Sequence, residues 1–243
     1  MIECYNILYN TENAVGNENQ SQYRTTPPPR PRKEDVLFGN GDDWHENACI
    51  HWHDDEWAYR RGFRLAGDYL AEHVCNTGND QDVLVYPIVY LYRHHAELVL
   101  KAIIKTASAL LERELTARDL KKLGWHGLAE LWETTKPLLG PVCEMAGNPP
   151  FPAEDIEGID SYIRQIHEHD PDGQRFRYAT LKVTRDGTRR GPAIPTPSLR
   201  EELTILNVRN FAVAMDKLAD YLESIEGWFA ELRHQRRNMR SQA

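Results

Sequence analysis

The chain has 243 residues, 41% hydrophobic and 27% charged, which is enough for a sizeable core and excludes a disordered or fibrous composition. Its formal net charge of −8 gives no overall attraction to nucleic acid or anionic lipid, so such binding would need a local basic patch. Two such patches exist, Arg30, Arg32 and Lys33 near the start and Arg233, Arg236, Arg237 and Arg240 at the end, and both read first as solvated tails.

Cys4, Cys49, Cys75 and Cys143 are far apart and form no Cys-x-x-Cys pair. That argues against a disulfide framework and for reduced thiols in a cytoplasmic protein. The opening residues Met1 to Asn10 lack the basic start and apolar run of a secretory signal. The most apolar stretch, Val83 to Tyr92, is stopped by Arg93-His94-His95, short of the ~20 residues a membrane span needs, so no membrane association is expected.

Residues 1–40 read as a tail, polar at first and then proline-rich through Pro27-Pro28-Pro29-Arg30-Pro31. A first helix is expected from Asp54 to Val74, with Trp57, Phe63, Ala66, Leu70 and Val74 at helical spacing. A long central helix follows near 82–113, striped by Ile88, Leu91, His95, Leu98, Val99, Ala102, Ile103 and Leu110. Arg93, Glu97, Lys101 and Lys105 recur every four residues along another face, and the helix is apolar enough elsewhere to be enclosed by neighbours. Thr116 and Asp119 make a near capping box for a short helix. Another helix runs from Gly127 to about Thr135, and Gly140-Pro141 reads as a breaker.

A helix from Glu154 to His169 ends at the turn Asp170-Pro171-Asp172-Gly173. Residues 175–190 read as a hairpin, with Asp186-Gly187 as the turn and Thr188 to Arg190 returning. Ser198 and Glu201 form a second capping box, expected to open a last helix striped by Leu203, Leu206, Phe211, Met215, Leu218, Leu222 and Ile225. The sum is a mostly α protein: one helical-bundle domain over 41–232 with a small inserted β-hairpin, and a basic tail over 233–243.

Four constellations could carry chemistry. His45, Cys49, His51 and His53 with nearby carboxylates could bind zinc or copper, although nothing fixes a distant ligand and Asp54 and Asp55 already suit a helix start. The ladder Arg93, His94, Glu97 and Lys101 is either a salt-bridged structural network or an anion-binding and acid–base site. Arg164 and His169 have the Arg-x(4–6)-His spacing of metal-free RNA cleavage, a spacing that arises readily by chance. Arg175-Phe176-Arg177-Tyr178 could reach a phosphate, or its aromatics could pin the hairpin while an arginine pairs with Glu97 or Asp170. Walker, Gly-x-Ser-x-Gly, His-Glu-x-x-His and Rossmann fingerprints are all missing, so no cofactor is expected.

The run Leu91-Tyr92-Arg93-His94-His95-Ala96-Glu97-Leu98-Val99-Leu100-Lys101-Ala102-Ile103 resembles the first core helix of HEPN domains, and His126-Gly127-Leu128-Ala129-Glu130-Leu131 resembles the start of their next helix. Trp57 to Phe63, Asp170-Pro171 and Phe176-Arg177-Tyr178 are similar to a set of bacterial proteins that share this helix, so the likeness spans about 54–225. The resemblance implies a helical bundle, often a homodimer, in phage-defence or toxin–antitoxin systems, many members cutting RNA without metal through an Arg-x(4–6)-His motif. Here Arg209-Asn210 in the expected last helix is followed by no histidine at that spacing.

Three functions follow as expectations. The first is a HEPN-like binding or regulatory module, with RNA, a nucleotide or a protein as partner, centred on Arg93, His94, Glu97 and Lys101 with His126, Asp170 and Arg177 nearby. The second is a metal-independent ribonuclease in which Arg93 or Arg177 holds the phosphate and His94 or His126 moves the proton. The third is a metal-dependent enzyme at His45, His51 and His53.

Overall fold

The computed structural model describes residues 30–35, 37–39, 41–42, 44–51, 55–184 and 193–241. The Pro27–Pro29 run, His53, Asp54 and the Asp186-Gly187 turn lie outside the described residues. The chain divides into two units, 1–49 and 50–243. In the first unit, a 3-10 turn spans Trp44–Glu46, and Asn47 exchanges two side-chain hydrogen bonds with the Gly41 backbone at 2.7 and 3.0 Å.

The second unit is a helical bundle with one two-stranded ribbon. Its elements are α1 (Asp55–Thr77), α2 (Gln81–Leu110), α3 (Ala117–Leu123), α4 (Leu128–Met145), α5 (Ala153–His169), β1 (Thr180–Thr184), β2 (Ala193–Pro197) and α6 (Val208–Ser241). The mostly α reading holds, with the inserted hairpin. No helix among the described residues is long and apolar enough to cross a membrane.

α2 is the axis, as its apolar circumference demands: α1, α4 and α6 all pack on it. Ile88, Val99, Leu100 and Ile103 are completely buried, and complete burial of such side chains stabilises by about 1.5–3 kcal/mol each. His95 belongs to the stripe with its Nδ1 held by the Arg60 carbonyl at 2.9 Å and its Nε2 lying 3.2 Å from Glu223 Oε1. Pro87 lies inside α2, beyond its first turn.

Several local signals behave as written. Thr116 and Asp119 complete a reciprocal capping box on α3. α5 buries Ile159 and Ile163 and stops at Asp170, whose successor Pro171 does not continue a helix.

Four expectations are corrected. α4 does not break at Gly140-Pro141 but runs to Met145 with Pro137 and Pro141 inside it. Burial of Leu138, Leu139, Val142 and Cys143 outweighs the missing N–H groups, and Pro141 would have bonded to the carbonyl of Pro137. The stop is Gly147, at φ +69°, where Asn148 N–H donates to the Cys143 carbonyl at 2.9 Å. The described ribbon extends later in the chain than expected: β1 pairs antiparallel with Ala193–Pro197, from Thr180 opposite Pro197 to Thr184 opposite Ala193, while Thr188 to Arg190 lie outside the described residues. Pro195 and Pro197 are tolerated because a two-stranded ribbon is all edge.

Ser198 caps no helix. It is buried, its hydroxyl donates to the Arg175 carbonyl at 2.9 Å, and α6 starts at Val208. The cap is Asn207, whose Oδ1 accepts the Asn210 N–H at 2.9 Å. Finally, the basic stretch 233–241 is not a tail but the last turns of α6, anchored where Arg236 and Arg240 both reach Glu112.

Candidate functional site

The expected polar ladder on α2 is built around a buried arginine. Arg93 sits mid-helix, 2% exposed, with Glu97 one turn on at 1%. An isolated charge at such depth would cost several kcal/mol, so each must be paired. Arg93 Nη1 donates to Glu97 Oε2 at 3.1 Å, and Arg93 Nε lies 3.1 Å from Asp170 Oδ2. Arg93 Nη2 donates to the His126 carbonyl. Every nitrogen of the guanidinium is therefore engaged by the chain itself.

The lid over Arg93 is the turn that ends α5. Gly173 has φ +74°, and a Cβ there would stand 2.6 Å from Arg93 Nη1. Glycine is needed both for the left-handed backbone and for that close approach. Asp170 Oδ1 meanwhile accepts the Arg175 N–H at 3.0 Å, which ties the turn to the segment leading into β1. The Arg175 guanidinium goes elsewhere, to the Ser198 carbonyl at 2.7 Å.

Glu97 is the second hub. Its Oε1 accepts from Lys101 Nζ at 2.8 Å and from His126 Nδ1 at 2.9 Å, and His94 Nδ1 lies 3.8 Å from Oε2. Burial alone would raise its pKa, but His94, Lys101 and His126 together hold the carboxyl well below the usual carboxylate range. An ionised carboxylate only accepts, so His126 Nδ1 donates to it, and Nε2 has no partner among the described residues. The His126 side chain is 51% exposed and that of His94 21%.

Arg177 joins the site by a different route. Its guanidinium lies over the rings of Tyr90, at 5.2 Å, and Tyr178, at 5.3 Å. Tyr90 stacks on His94 with ring planes 11° apart and centroids 5.6 Å apart. His94 in turn meets the edge of Phe63 at 4.5 Å. The result is a ladder Phe63–His94–Tyr90–Arg177–Tyr178, with Arg177 and Tyr178 exposed. Phe176, by contrast, is buried and pins the segment to the bundle.

Arg93, His94, Glu97, Lys101, His126 and Asp170 thus stand together, and Arg177 reaches them through Tyr90. Arg164 and His169 do not form a pair: Arg164 bonds Asp160 at 2.7 Å, and His169 lines a separate apolar hollow. Among the described residues no group of three His, Cys, Asp or Glu could hold a metal ion, and His53 lies outside them. In the sequence Phe63 reads only as part of an apolar stripe and Tyr90 as part of an apolar run, although Tyr90 precedes His94 by one helical turn, a spacing that puts them side by side. Comparison with protein-family models, with curated proteins and with solved structures gives no significant match for this chain.

Proposed function

We propose that this is a HEPN-like helical binding module of a bacterial phage-defence or toxin–antitoxin system, taking single-stranded RNA on the surface formed by His126, His94, Tyr90, Arg177 and Tyr178. The observation that carries the reading is the engagement of every Arg93 nitrogen by Glu97, Asp170 and the His126 carbonyl, at 2% exposure. A guanidinium so placed organises the site and is withheld from phosphate. What remains outward is a run of part-exposed aromatic side chains with one cation among them, and unstacked bases bind aromatic side chains with little sequence preference.

A second reading is favoured by one observation. The ionised Glu97 holds His126 by Nδ1 and leaves Nε2 facing outward, the orientation a metal-independent ribonuclease needs in a histidine that moves a 2′-hydroxyl proton. Arg177, not Arg93, would then face the phosphate.

Incubation of the purified chain with labelled single-stranded RNA in EDTA separates the two. Binding without cleavage, weakened by Tyr90→Ala and Arg177→Ala, is the expected result. Cleavage abolished by His126→Ala would replace the first reading by the second. Neither binding nor cleavage would overturn both.

A further inference from the structure

The C-terminal arginines have a second use that the Glu97 site does not absorb. α6 carries them on two faces. Arg236 and Arg240 turn to Glu112, whereas Arg233 and Arg237, one turn apart, line a cleft of about 790 Å³ between α1, α2 and α6. The same cleft is lined by Trp57 and Arg60 of α1 and by Lys105 of α2.

The charges there do not cancel. Arg60 pairs with Glu226 at 3.3 Å, and Lys105 pairs with Glu56. Those are the only carboxylates lining the cleft among the described residues, so both are spoken for. The guanidiniums of Arg233 and Arg237 have no ion-pair or hydrogen-bond partner among the described residues, and both residues are exposed. Two unpaired guanidiniums on a chain of net charge −8 are held side by side by helix spacing. Each presents a fork of N–H donors that matches phosphate oxygens. The volume is that of a small-molecule site.

We propose that this cleft binds a multiply charged phosphate compound, its phosphates on Arg233 and Arg237 with Lys105 and Arg60 behind them. Two sources share that chemistry, a free inorganic oligophosphate and a nucleoside polyphosphate. Trp57, 47% exposed at the cleft wall, distinguishes them, because only the nucleoside has a base to lay on the indole.

Calorimetric titration of the full chain with sodium tripolyphosphate and, separately, with ATP tests this. Binding of either compound should weaken by about tenfold or more in Arg233→Ala/Arg237→Ala. Arg118→Ala/Lys121→Ala, which removes the same charge from exposed positions of α3, should leave it unchanged. A nucleoside ligand is indicated if Trp57→Ala weakens ATP and spares tripolyphosphate; equal binding of both compounds in wild type and Trp57→Ala indicates the inorganic anion. Absence of binding by both compounds, or equal loss in the two double variants, overturns the proposal. Since α6 is anchored here by Arg236 and Arg240, unchanged thermal melting of Arg233→Ala/Arg237→Ala separates lost binding from lost folding.

Discussion

Replacing Glu97 by glutamine tests the buried hub of the site. The side chain keeps its volume and one acceptor oxygen but loses its charge, and its new NH2 faces donors. Lys101, 16% exposed, can turn toward water, whereas Arg93, 2% exposed, cannot. Among the described residues Arg93 is then left with Asp170 as its only buried counter-charge. Removing one partner from a buried pair costs about 3–5 kcal/mol, and the mobility of Lys101 places this case near the lower end, about 3 kcal/mol.

Urea unfolding at pH 7, comparing midpoints at equal slope, measures that difference. The pH dependence gives a second check. Glu97 has a folded pKa below its ordinary value of 4.5, so its stabilisation is complete above that pH and fades as pH falls below it. The gap between wild type and Glu97→Gln should therefore narrow below about pH 4. A loss under about 1 kcal/mol at pH 7, the range of exposed ion pairs, would refute the claim that these charges are desolvated.

Gly173→Ala should destabilise by at least about 2 kcal/mol, from the left-handed backbone and the displaced Arg93, and lower Tm by about 4–8 °C in a scan. Gly140→Ala, mid-helix with open space around it, should leave Tm unchanged or raise it slightly. Asp160 is held down to about 2 by the Lys136 ammonium first, against a smaller push from burial, with help from the Trp132 indole and Arg164. Asp160→Asn should cost about 1 kcal/mol at pH 6, discounted for partial exposure. That difference should vanish as pH falls from 3.8 through about 2, read by urea unfolding at both ends.

Much of the frame was legible in the sequence because its signals are local. The apolar stripe of α2, the Thr116 box and the Asp170–Gly173 turn each lie within a few residues and match backbone geometry directly. The charge ladder was legible for the same reason, since Arg93, Glu97 and Lys101 are one turn apart. What closes it was not. Asp170 lies 77 residues beyond Arg93, and the His126 acceptor is a backbone carbonyl, which has no residue signature.

The misread elements share one cause, local propensity outweighed by tertiary burial. Gly140-Pro141 carries breaker chemistry, yet the leucines around it are core residues. Ser198 and Glu201 have box spacing, but Ser198 is taken up by Arg175. The arginine-rich end reads as a tail on charge alone, although Phe229 just before it is fully buried and two of its arginines bind Glu112.

Proton exchange at the Arg93 guanidinium tests the central claim most directly. Nitrogen-resolved NMR at neutral pH should show Arg93 Nε–H and Nη–H exchanging far more slowly with water than those of exposed Arg118, and unmoved when single-stranded RNA is added while Arg177 shifts. Exchange as fast as that of Arg118, or a shift of Arg93 itself on adding RNA, would contradict a sealed, structural arginine.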